Sequence, residues 1–182
     1  MAKSLNKPTL QKELLVSIQE FNTDKISTYV INNKLENQLL IYCFDKDELL
    51  SSRSTWVLWF CYEKNKKILL KFQDKLIQNL NKTNLHNGVI RNTLRLFQNE
   101  PIPEKYESFM LDKCYSYIKN AGEAIAVRAF AMTVVFNISK PYPELLNELK
   151  SVLIHVNHPD ESPGVKSKVK NTLKDIDKVL NK

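Results

Sequence analysis

Apolar positions in this chain recur at helical spacing. After Arg53 come Trp56, Val57 and Phe60; after Arg91, Leu94 and Phe97; after Arg128, Ala131, Met132, Val135 and Phe136; after Lys166, Val169 and Leu173. Steps of three, four and seven residues put each set on one face of a helix. The four cations fall over one another when the chain is laid against itself at a shift of 37 to 38 residues. What recurs is therefore a structural unit rather than a single hairpin.

A second helix is predicted in each of the middle three units. Its apolar stripe is Ile68, Leu69, Phe72, Leu76, Ile77 and Leu80 in the first. In the second it is Phe109, Met110, Cys114, Tyr117 and Ile118 behind "PIPEKYE", and in the third Leu145, Leu146, Leu149, Val152 and Leu153 behind "KPYPELL". A proline before or within the first turn suits a helix start. Two antiparallel helices in a unit of this length predict an all-α fold, a short α-α superhelix of the HEAT/armadillo repeat kind, whose units become stable by stacking. The expected organisation is one domain over residues 1–182, with repeats at about 51–82, 86–120 and 123–157 and a terminal helix at 163–181. Ahead of these, "TLQKELLVSIQEF", "DKISTYVINN" and "LENQLLIYCF" predict two or three helices of an N-terminal cap or degenerate unit over residues 1–50. "HVNHPDESPG" predicts a loop.

Composition narrows the function classes. A hydrophobic content of 43% supplies a core. Three glycines leave no GxGxxG or GxxxxGK[ST] loop to cradle phosphates. Cys43, Cys61 and Cys114 sit in apolar or aromatic surroundings without the close pairing of a zinc knuckle or disulfide scaffold, which predicts buried free thiols and a cytoplasmic setting. The N-terminal lysines have no continuous apolar stretch behind them, and no run reaches the roughly eighteen apolar residues of a membrane span. Neither a signal peptide nor membrane insertion is expected.

The net charge of +7 is uneven: zero over residues 1–60, +6 over 61–99, -2 over 100–160 and +3 over 161–182. Lys67, Lys71 and Lys75 recur every fourth residue and form a row on one helix face, bracketed by Lys64 and Lys82, with Arg95 nearby. Such a row lies along phosphates or is a solvated face. Trp56 and Trp59 are about one turn apart; Trp56 is on the core side, and Trp59 either joins it or edges a groove. The recurring Arg53, Arg91, Arg128 and Lys166 are explained first by packing, the stem covering the apolar seam while the charge meets a carboxylate or helix carbonyls; the other reading is a ladder along a binding face. "AIAVRAFAM" marks close helix approach. His155 and His158, followed by Asp160 and Glu161, fall short of a zinc pattern, and His86 is placed to start the Arg91 helix. No nucleophile elbow, catalytic residue, metal site or cofactor is predicted.

The stretch from "HNGVIRNTLRLFQNEPIPEKYESF" through "AVRAFAM" and "PYPELLNEL" to "ESPGVKSKVKNTLKDI" resembles a family of small HEAT-like repeat proteins found in bacteria, many of them Bacteroidetes, and mostly uncharacterised. The similarity spans roughly residues 45 to 180. "SSRSTWVLWFC" is similar to the family's Arg-x-x-Trp helix, and lysines stand at 166 and 168 where the family usually has arginines. More distantly the chain is similar to HEAT-like glycosylases of alkylated DNA, whose concave face holds duplex with basic residues and whose pocket joins aromatics to a carboxylate. The resemblance implies the fold. For function it leaves three readings: a non-enzymatic module binding an unknown protein or peptide, a phosphate-backbone binder using the 61–99 segment, and such a glycosylase.

Overall fold

The computed structural model describes residues 7–181. They form α1 (Lys7–Leu14), α2 (Thr23–Asn32), α3 (Glu36–Cys43), α4 (Glu48–Lys64), α5 (Lys67–Asn79), α6 (Asn87–Leu96), α7 (Glu104–Lys119), α8 (Ile125–Ser139), α9 (Pro143–Val156) and α10 (Pro163–Leu180). The starts are written locally. Asn22 and Asp47 accept hydrogen bonds from the backbone amides of Lys25 and Leu50, each at 2.9 Å, and Ser162 accepts one from Val165. Pro143 and Pro163 occupy the first turns of α9 and α10, where no amide hydrogen is needed.

Backbone contacts divide the chain into two compact units, one up to Leu96 and one from Phe97. The division falls between α6 and α7, inside the predicted 86–120 repeat. In the first unit α4 is the central helix, packed against α1, α2, α3, α5 and α6. It buries residues on several sides, among them Leu50, Val57, Leu58, Cys61 and Tyr62. In the second unit α8 is central, against α7, α9 and α10, and buries Val127, Ala131, Met132, Val134, Val135 and Ile138.

The faces depart from the sequence reading in places. The helix expected across "TLQKELLVSIQEF" ends at Leu14, because the carbonyls of Leu14 and Val16 turn to the Arg53 guanidinium instead of continuing the ladder. Phe97 lies one residue beyond α6 yet is 1% exposed. Trp56, Phe60, Phe136 and Leu173 are half-buried rather than central. Trp56 packs beside Phe21, ring centroids 5.7 Å apart. Among the described residues no helix is long and apolar enough to cross a membrane.

Candidate interaction site

The basic segment does not form one face. Lys67, Lys71 and Lys75 do: all three are exposed on α5, with successive members about 6 Å apart along the axis. Leu70, 67% exposed, stands beside them. None of the three lysines has an ion pair among the described residues. Lys64 points elsewhere, to Asp24 Oδ1 and Thr28 Oγ1 on α2, each at 2.6 Å. Lys82 lies 5.7 Å from the Phe44 ring and lines a cleft of about 240 Å³ with Asp45, Glu48, Asn79 and His86. Arg95 sits flat against Trp59, its guanidinium carbon 3.3 Å from the ring centroid. Burial, reinforced by the Arg91 charge and opposed by Glu63, pulls the Arg95 guanidinium below its ordinary range, and arginine stays charged there. Trp59 also meets Phe60 edge-on at 4.8 Å.

Two of the recurring cations hold the ends of other helices. Arg53 is 8% exposed; its Nη1 donates to Leu14 O at 2.9 Å and Val16 O at 2.6 Å, and its guanidinium lies 4.6 Å from the Phe21 ring. Arg128 is 3% exposed; its Nε donates to Ile118 O at 3.2 Å near the end of α7, while Nη2 pairs with Glu161 Oε2 at 2.7 Å. Lys166 Nζ donates to the Pro159 carbonyl. Arg91 is half-buried and has no ion pair among the described residues. Arg53 and Arg128 thus meet carbonyls at helix ends, which carry a partial negative charge at a helix C-terminus.

The histidines reach a cavity of about 500 Å³ in the second unit, lined by Lys119, Arg128, His155, His158 and Glu161 among others. His155 Nδ1 lies 2.9 Å from the Ser151 carbonyl, so that nitrogen carries the proton. His158 Nδ1 is 3.4 Å from Asp160 Oδ2, both exposed. No group of three or more His, Cys, Asp or Glu converges as metal ligands among the described residues. His86 precedes α6, and its Nδ1 accepts from the Gly88 amide at 3.1 Å.

Sequence reasoning missed an acidic surface of the second unit. Between α7 and α9 runs an open groove of about 440 Å³, walled by Glu104, Glu107, Asp112, Glu144 and Glu148 and floored by Leu111, Tyr115, Tyr142 and Leu145. The signal was present as acidic residues at helical spacing, Glu104, Glu107 and Asp112 on one helix and Glu144 and Glu148 on the other. It was hidden because lysines on other faces of the same stretch reduce the regional total to -2.

A helical protein of two compact units, each built around a central helix carrying a buried arginine, belongs to the all-α repeat class. A protein-family model described as a HEAT repeat domain matches residues 10–176, and the chain belongs to that family. Its fold is therefore the HEAT/armadillo-like helical-repeat fold. No curated protein and no solved structure matches the chain.

Proposed function

We propose that the chain is a non-catalytic interaction module whose second unit holds a protein partner along α7 and α9. The observation that carries this reading is the groove between those helices. It is open, its floor keeps Leu111 and Leu145 half-buried and Tyr142 41% exposed, and its rim is polar, the arrangement of apolar centre and polar rim that polypeptide interfaces use. Membership of a repeat family supports it, since stacked helical repeats leave extended faces free for partners. A cytoplasmic setting belongs to the same reading, supported by three cysteines that are buried and unpaired.

The second reading, a nucleic-acid binder, is favoured by one feature, the exposed row Lys67, Lys71 and Lys75. Two other cations of that candidate set have partners within the molecule: Lys64 with Asp24 and Arg95 with Trp59. The guanidinium of Arg95 covers one face of Trp59, which counts against a glycosylase pocket that stacks a base there.

Titration of a labelled mixed-sequence duplex and a single strand at about 50 mM and about 200 mM salt separates the readings. For a protein-binding module, no complex forms even at the lower salt. A salt-steep complex lost in the Lys67→Gln/Lys71→Gln/Lys75→Gln protein overturns this reading in favour of phosphate binding.

A further inference from the structure

The α7–α9 groove carries five carboxylates, and none has an ion-pair partner among the described residues. Like charges that share one groove repel one another and loosen the fold that holds them. A second feature is independent of their charge. Tyr115 lines the same groove, is 8% exposed, and its hydroxyl has no hydrogen-bond partner among the described residues. A buried hydroxyl left unmade is a cost that an occupant with an acceptor relieves. Burial and the nearby Glu148 push the Tyr115 pKa up, so the hydroxyl remains a donor throughout the neutral range.

We propose that the groove binds a cationic amphipathic segment of another protein, lysines or arginines against the carboxylates and an apolar side chain on the Leu111–Leu145 floor. The inference rests on the interaction-module reading and names the partner's chemistry. Charge selects the cation. The apolar floor selects against a free polyamine, which has no side chain to set there, and the Tyr115 hydroxyl selects a ligand carrying a carbonyl or hydroxyl acceptor, which a polypeptide supplies along its length. From Glu104 to Asp112 the acidic wall extends about 12 Å along α7, two turns of helix, so it spans cations placed four or seven residues apart on a helical partner. Tyr142, exposed at the groove, supplies an aromatic ring for one of them. The molecule as a whole carries +7 and repels a basic peptide at long range. Attraction must therefore arise at the groove itself, and its range is the Debye length.

The test is fluorescence anisotropy of a dye-labelled helical peptide of leucine and lysine, beside the same peptide with glutamate for lysine. At about 50 mM salt the lysine peptide binds, and at about 200 mM its affinity is several-fold lower. The triple variant Glu104→Gln/Glu144→Gln/Glu148→Gln weakens it tenfold or more, and because all three side chains are exposed the fold stays intact by circular dichroism. Tyr115→Phe weakens it while the thermal midpoint holds or rises, because the hydroxyl has no bond to lose. Lys67→Gln/Lys71→Gln/Lys75→Gln leaves it unchanged. Equal binding of the glutamate peptide, or lysine-peptide affinity untouched by the triple variant, overturns the proposal. Sedimentation showing a dimer lost equally in the triple glutamine and triple lysine variants overturns it in favour of a second copy of this chain. In both cases the module reading stands, since only the nucleic-acid titration overturns that.

Discussion

Arg128 does at the scale of one side chain what the recurrence of a cation at a fixed shift left open. Its stem lies in the core of the second unit, one nitrogen donates to the last turn of α7, and another pairs with Glu161, which is 13% exposed. The hydrogen bond from Arg128, aided by the Ser162 amide, holds the Glu161 carboxyl below the usual range against the opposing effect of burial. A carboxylate whose folded pKa is depressed stabilises the fold above its unfolded value of about 4.3, and the contribution is lost as pH falls through the folded value. Glu161→Gln should therefore cost about 2 to 3 kcal/mol at pH 7, because it leaves the Arg128 charge buried with a neutral partner. In urea titrations at falling pH the gap between the two proteins should close below the usual carboxylate range. A gap independent of pH would show that the pair does not carry the effect. The sequence located this cation and read it first as a packing residue meeting a carboxylate or helix carbonyls, but which carbonyl and which carboxylate it meets leaves no mark in a residue pattern. Arg91, in register with Arg53 and Arg128 yet holding no such carbonyl among the described residues, shows that equal position does not ensure equal partner.

Between elements, one close approach falls where a side chain is missing. A Cβ placed on Gly88 of α6 would stand 2.8 Å from Ser52 Cβ on α4 and 3.0 Å from His86 Nδ1. Along the same seam Asn92 Nδ2 donates to the Ser52 carbonyl at 3.3 Å. Gly88→Ala gains up to about 1 kcal/mol of helix propensity, but it forces the α4–α6 seam apart at a cost of about 1 to 3 kcal/mol. Net loss of stability is expected in a thermal or urea melt. Gly164→Ala is the control: its Cβ meets the Ile125 Cγ2 atom at 3.0 Å, but Ile125 is 50% exposed and its methyl is free to turn aside. That variant should melt within about 0.5 kcal/mol of the parent. Helix existence was legible because stripes such as Ile68, Leu69, Phe72 and Leu76 repeat at helical spacing and bury as read. Less legible was α4, buried on several sides and so without a clean stripe. The end of α1 was misplaced because a distant arginine decides it. The acidic groove was the largest omission: it is made by two helices with α8 between them in the chain, and each contributes an ordinary polar face.

Across the molecule the three thiols sample both units, Cys43 and Cys61 in the first and Cys114 in the second, and all are at most 1% exposed. Burial pushes the Cys61 thiol up to about 12, with Glu36 adding to the effect and Lys64 opposing it. It raises Cys43 and Cys114 well above the ordinary range too. At pH 8 a free cysteine with a pKa near 8.5 is about one quarter thiolate, whereas a group at 12 is thiolate about once in ten thousand. Native protein should thus react with an aromatic disulfide reagent at least a thousandfold more slowly than free cysteine, and all three thiols should become reactive once urea opens the cores. Cys43 and Cys61 share one core, and the Cys61 charge is among the causes that raise Cys43. They should become reactive together when alkylation is followed site by site by mass spectrometry, and Cys114 reports the opening of the second unit in the same samples. Because the folded thiol pKa values are raised, their contribution is whole below about pH 8.5 and is lost progressively above it, so the urea midpoint should fall as pH rises from there. A thiol that labels in native protein at the rate of free cysteine would place that residue outside the core, and a Cys43 that labels well before Cys61 would mean that α3 leaves α4 before the first unit unfolds.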